Sequence, residues 1–198
     1  MTLKTLLLGA VAATALAGSA AASIVVNAYE QDGSVVFSYS GSLDLTGMRV
    51  SSTQIANAGT TPRNGSLTFG AYSRTPPTAT PAFDFYSGFT GLGAFGGGGF
   101  TRFTQPADTF TGAQLSLSSR SIGVLAGSTG GAISGTTVLA DASFDSLGLF
   151  RGSYSGSTMN DTVTLTIGDA PAPVPVPASL PLLLGALGLT GLVLRRRG

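Results

Sequence analysis

Residues 35–45 read Val-Val-Phe-Ser-Tyr-Ser-Gly-Ser-Leu-Asp-Leu, and their period of two dictates the class of structure. Val35, Phe37, Tyr39, Leu43 and Leu45 fall on one side of an extended chain, while Val36, Ser38, Ser40, Ser42 and Asp44 fall mostly on the other. A helix would scatter both sets around its circumference. Ile24-Val25-Val26 precedes this run, and Asp32-Gly33 between them is a tight-turn pair, so the two segments are expected to form a hairpin. Further short apolar runs follow turn residues. Asn64-Gly65 leads into Leu67-Thr68-Phe69, Val138, Ala140, Ala142 and Phe144 are expected to share a face, and so are Val163, Leu165 and Ile167. Short strands punctuated by glycine predict an all-β fold, a single antiparallel β-sandwich-like domain without internal repeats.

Both ends of the chain depart from this pattern. Met1–Lys4 carries one lysine, Thr5–Ala17 is apolar, and Ala20-Ala21-Ala22 offers small residues before Ser23. This is the layout of a secretory signal peptide over residues 1–22. Cleavage is placed between Ala22 and Ser23, with Ala17 and Ala20 as alternatives. At the other end Pro171, Pro173, Pro175 and Pro177 occupy every second position. They restrict φ, remove backbone donors and favour an extended strip unsuited to a sheet. Ala178–Leu194 follows without a charge; its 17 residues would span about 26 Å as a helix, just enough for a hydrocarbon core of about 30 Å. Arg195, Arg196 and Arg197 then act as a stop signal that holds the terminus in the cytoplasm.

Val174-Pro175-Val176-Pro177-Ala178-Ser179-Leu180-Pro181-Leu182-Leu183-Leu184-Gly185, closed by Arg195–Arg197, resembles a PEP-CTERM tail of the VPLPA-CTERM type. Val176 stands where that name has leucine. The resemblance covers about 25 residues. It implies that Val174, Pro175, Val176, Pro177 and Ala178 form a sorting and processing motif for an exosortase-type membrane enzyme of Gram-negative bacteria. The helix and arginines would then be an anchor, at least a transient one. The stretch Val35–Leu45 and the run Thr162–Gly168 also have the general look of small exported proteins of that group, a likeness that names no chemistry. The implied partners are the Sec machinery, signal peptidase, the exosortase-type enzyme and the membrane, with exopolysaccharide as a further candidate. The implied location is the inner membrane first, then the cell surface or the extracellular matrix.

Removing the two ends changes the charge balance. Residues 23–169 hold six arginines and nine acids, so six minus nine leaves a net charge of −3, against +1 for the whole chain. That balance argues against nucleic acid as a partner. There is no cysteine for disulfide staples, and about 147 residues suffice for one core without them.

The same stretch lacks histidine, cysteine and lysine. Serine–histidine triads, cysteine nucleophiles, serine–lysine dyads and histidine-held zinc are thereby excluded. A carboxylate pair survives on composition. Asp141 and Asp145 are the closest in the later half, but on one strand they would stand about 13 Å apart. That exceeds the separation of about 6.5–9.5 Å found in inverting glycosidases, so they are expected to bracket a strand. Gly91-Leu92-Gly93-Ala94-Phe95-Gly96 satisfies G-x-G-x-x-G, yet a glycine run follows where a nucleotide site requires a helix. No acidic calcium loop is present, and no cofactor is expected. Asn64-Gly65-Ser66 and Asn160-Asp161-Thr162 fit the glycosylation pattern but read as turns.

Seven aromatics lie within Phe83–Phe103. Glycine-spaced aromatics could stack on sugars, which makes a carbohydrate-binding module of the exopolysaccharide matrix the alternative function. Six of the seven are phenylalanine and tryptophan is absent, which favours an inward-facing, structural role. The reading that follows is an exported, non-enzymatic surface or matrix protein.

Overall fold

The computed structural model describes residues 23–70, 82–103 and 108–171. Among these the chain is nearly all β, with antiparallel sheets and a single α-helix of one turn. Strands β1 (Ser23–Gln31) and β2 (Ser34–Asp44) pair antiparallel from Gln31↔Ser34 to Ile24↔Gly41. Their turn places Asp32 at φ 50° and Gly33 at φ 75°. A two-residue hairpin of this twist needs left-handed residues at both positions, and Asp-Gly supplies them.

Strand β2 is the spine of a six-stranded sheet. Its other edge pairs with β11 (Gly130–Leu139), which in turn pairs with β8 (Thr109–Gly112). On the far side, β1 lies against β13 (Thr162–Gly168), and β12 (Gly152–Ser157) completes the sheet. The order is β12-β13-β1-β2-β11-β8. Val163, Leu165 and Ile167 are buried, as are Val35, Phe37, Tyr39 and Leu43; Val36, on the opposite face, is buried too.

A seven-stranded sheet contains the remaining elements. It runs β3 (Val50–Ile55), β6 (Ala82–Ser87), β10 (Ser121–Leu125), β9 (Leu115–Leu117), β5 (Ser66–Phe69), β4 (Gly59–Thr61), β7 (Thr101–Arg102). Leu67, Leu117 and Ile122 stand in register, as do Phe69, Leu115 and Val124. These rows join the buried side of the first sheet in one apolar core. Phe37 meets Phe69 at 5.9 Å and Phe103 at 6.1 Å between ring centroids. Each sheet turns its other face away from this core, as antiparallel sheets allow.

One pairing departs from the antiparallel expectation. β1 and β13 run parallel, from Ser23↔Thr162 to Tyr29↔Gly168. Parallel neighbours need a long crossover, and here everything between the first and last strands provides it. Local patterning carries no information about that direction. The consequence is geometric: the chain enters this sheet at one end and leaves it at the other.

The segment after β11 also differs from expectation. The strand ends at Leu139, and within it Thr137 and Leu139 are buried whereas Val138 faces outward. Asp141 turns the chain at φ 53°, and helix α1 (Phe144–Leu147) follows. Val138, Ala140, Ala142 and Phe144 therefore share no strand face, and Asp141 and Asp145 bracket no strand. The cause is a capping box: the Ser143 hydroxyl accepts from the Ser146 amide, and the Ser146 hydroxyl accepts from the Ser143 amide. Glu30 adds a carboxylate that accepts from the Phe144 amide at 2.6 Å, where a helix start welcomes negative charge.

Candidate functional site

The aromatic region is the first candidate, and the fold places most of it inside. Phe83, Phe85, Phe89, Phe95 and Phe103 are buried, with Phe95 fully so. Tyr86 is half-buried against the core, and its hydroxyl donates to the Ser128 carbonyl at 3.3 Å. Phe83 and Phe85 pack 6.0 Å apart, and the Phe85 ring occupies the space over Gly123. Phe100 alone of the seven is an exposed large apolar side chain. A single ring does not make a stacking platform, so this region is structural.

The G-x-G-x-x-G run serves packing as well. Residues 91–96 follow no strand directly and precede no helix. The Phe95 amide donates to the Pro62 carbonyl, the Phe150 amide donates to the Phe95 carbonyl, and the amides of Gly97 and Gly98 both donate to the Gly148 carbonyl. The Phe95 amide is thus spent on Pro62, and the Gly97 and Gly98 amides on the chain leaving α1.

Among the described residues, three places stand out for their ionisable groups. At the end where β13 leaves the sheet, Arg151 lies 3.5 Å from Glu30 and 3.3 Å from Asp169, and its guanidinium sits 5.0 Å over the Phe144 ring. Arg151 is well exposed, so these pairs stabilise little individually. They tie β1, α1 and the exit of the chain together. Beyond them Ala170 and Pro171 are exposed. On the second sheet, Asp84 accepts from the Thr53 hydroxyl and the Gly127 amide, and those hydrogen bonds hold its carboxyl below the usual carboxylate range.

The third place is the turn between β12 and β13. Asp161 is buried and accepts from the Asp44 amide at 2.6 Å, while the Asn160 side chain donates to the carbonyls of Asp44 and Thr46. Asp44 accepts in turn from Thr46, which lowers its own pKa. The Thr158 hydroxyl accepts from the amides of Asn160 and Asp161. What reads as a glycosylation pattern is thus a polar clamp joining the β12–β13 turn to the end of β2. Sequence reasoning recognised the turn but could not see its partner more than a hundred residues away.

Among the described residues, no three side chains of the metal-ligating types converge. Asp141 lies in a turn and Asp145 in the short helix. Burial raises the pKa of Tyr39, and its hydroxyl donates to the Ala113 carbonyl. That describes a core phenol. Open depressions mark the surface of the described residues. One of about 490 Å³ lies beside Met48, Arg49, Ser87, Thr90 and Met159. Another of about 470 Å³ opens on the outer face of the six-stranded sheet near Asn27, Ser38, Thr111 and Thr136.

Ser23 is the exposed first residue of β1. Ala22, the motif residues Val174, Pro175, Val176, Pro177 and Ala178, and the basic triplet Arg195, Arg196 and Arg197 lie outside the described residues. Among the described residues no helix is long and apolar enough to cross a membrane. Comparisons with family models, with curated proteins and with solved structures returned no match.

Proposed function

We propose that this chain is an exported, non-enzymatic protein of the cell surface or extracellular matrix, carrying a C-terminal sorting signal. The observation that carries the reading is the coincidence of the strip Val174–Ala178, the apolar run and Arg195–Arg197 at one end with the alanine-rich leader at the other. The body between them is a β-sandwich-like domain, supported by two sheets whose inward rows share one core. Signal peptidase acts between Ala22 and Ser23, and an exosortase-type enzyme acts on the proline strip in the membrane.

Two features of the body favour this reading. Because β1 and β13 run parallel, Ser23 and Gly168 lie at opposite ends of the sheet. A leader at one end and an anchor at the other can therefore be handled without interference. In addition, the last described residues after Asp169 are exposed, so the strip begins from the surface. An extended proline-rich strip loses little entropy when an enzyme grips it.

Intact mass of the protein recovered from membranes and from medium tests the proposal. The expected result is a membrane form beginning at Ser23 and a smaller form lacking the helix and the arginines. Pro175→Ala with Pro177→Ala should trap the membrane form. A released form of full length, or unchanged processing of the double variant, would reduce the strip to a spacer.

A further inference from the structure

We infer that the outer face of the six-stranded sheet is a binding surface for a neutral polysaccharide chain. The surface starts from register. Ser153, Thr166, Asn27, Ser38, Thr136 and Thr111 are successive cross-strand partners, one from each strand. None of the six is buried. With strands about 4.8 Å apart, the row is about 24 Å long. The adjacent row is Ser155, Thr164, Val25, Ser40 and Ser134, about 6.7 Å further along the strands. Two parallel lines of short uncharged side chains thus cross the sheet, polar throughout except for the exposed Val25 in the second.

The face differs from an ordinary solvated sheet face. Surfaces normally intersperse charges of both signs, but neither row holds an ionisable side chain. The acids and arginines are displaced to turns and strand ends, as with Asp32, Asp44, Asp141 and Arg151. Long charged side chains would stand above the sheet and have to be ordered or displaced by a ligand. Serine and threonine lose little rotamer freedom on binding. Each hydroxyl also serves as both donor and acceptor, and asparagine offers both groups.

The chemistry selects the occupant. A nucleic acid or an acidic polymer requires lysine or arginine, which this face lacks. A membrane surface requires an apolar face rimmed by basic residues. An uncharged chain of hydroxyl-bearing rings matches a flat array of hydroxyls whose spacing is close to the width of one ring. The depression of about 470 Å³ at the Thr111–Thr136 end gives such a chain a seat on the row. Tyr29, half-exposed and one step beyond Asn27 on the same strand face, offers an aromatic edge alongside. The inference does not rest on the sorting tail, because glycan retention and tail processing can each fail alone.

The test uses the full chain purified in detergent, with amorphous cellulose, a β-1,3-glucan and dextran as neutral probes and polygalacturonate as the acidic one. Depletion isotherms should show retention on at least one neutral probe and none on polygalacturonate. Thr136→Lys with Thr166→Lys should weaken retention at least tenfold, whereas Gln54→Lys on the other sheet should leave it unchanged. Thr136→Val with Thr166→Val keeps strand-forming shapes and removes two hydroxyls; it should weaken retention several-fold with an unchanged melting temperature, and it decides the matter if the lysine variant misfolds. Retention on no neutral probe, or equal retention by the valine variant, overturns the inference. So does a dimer that the row substitutions dissociate, since the face would then bind a second copy.

Discussion

Tyr39 and Phe69 stack across the two sheets with ring centroids 4.6 Å apart and planes inclined by 19°. Tyr39 comes from the middle of β2 and Phe69 from the end of β5, so this contact ties the first hairpin to the second sheet. Phe69 is fully buried. Phe69→Ala should cost about 3–5 kcal/mol of stability, through lost burial and the cavity left behind. Chemical denaturation read by tyrosine fluorescence checks it; a loss below 1 kcal/mol would mean that the sheets are not held at this point.

Gly135 faces the same tyrosine. A Cβ at this position would lie 2.3 Å from the Tyr39 hydroxyl oxygen and 2.8 Å from the Thr111 carbonyl oxygen. The second neighbour is backbone and cannot swing away. Gly135→Ala should therefore destabilise the protein by about 1–3 kcal/mol, despite the better strand propensity of alanine. Pairing it with Tyr39→Phe should recover part of that loss. Melting curves of the three variants decide this, and full additivity would sever the link.

Tyr86→Ala and Phe89→Ala distinguish a binding platform from a core. Both side chains pack against the apolar cluster, and Phe89 is buried. Phe89→Ala should cost about 3–5 kcal/mol, and Tyr86→Ala less because its ring is half-exposed. Unaltered stability, measured by urea unfolding, would contradict the assignment of these rings to packing.

Asp161 should behave as a structural carboxylate. It is 4% exposed and accepts from the Asp44 amide. Asp161→Ala removes a hydrogen bond to a charged group and should cost about 1.5–3 kcal/mol. Hydrogen exchange at the Asp44 amide should rise with it, and unchanged protection there would refute the clamp.

Acid should weaken the fold through Asp44 and Asp84. Both carboxyls are held below their ordinary pKa by hydrogen bonds from Thr46 and from Thr53 with Gly127, respectively. A folded-state pKa below the unfolded one means that the unfolded chain binds the proton first. Their contribution is present above the ordinary carboxylate pKa of about 3.9 and is lost as pH falls through the depressed values. Asp84→Asn should flatten the stability profile below about pH 4 and leave its slope near neutrality unchanged. A profile parallel to that of the parent protein throughout would dismiss the Asp84 part.

How much was legible without coordinates depends on the range of each interaction. The β1–β2 hairpin followed from Asp32-Gly33 and the alternation of Val35–Leu45, because turn chemistry and strand period are local. The inward set Val163, Leu165 and Ile167 followed for the same reason. The strand expected to run on to Phe144 ends at Leu139; Asp141 turns the chain, and two serines three residues apart then form a capping box. That signal was present in the sequence, but the apolar spacing of Ala140, Ala142 and Phe144 masked it.

Other relationships had no local signature. The direction of β13 beside β1 depends on the path of the whole chain between them. Burial of the Phe83–Phe103 aromatics depends on which strands lie next to one another, since aromatic spacing is the same for a platform and a core. The hydroxyl row from Ser153 to Thr111 exists only because five registers align six residues, although each strand alone reads as a solvated alternation. The sequence by itself determined the strand period, the first turn, the absence of histidine, cysteine and lysine from residues 23–169, and the apolar and proline-rich composition of the two ends, because these need only neighbouring residues or composition. Strand order, register and direction were decided by the tertiary structure, because backbone pairing is indifferent to sequence until side chains from distant segments compete for one core.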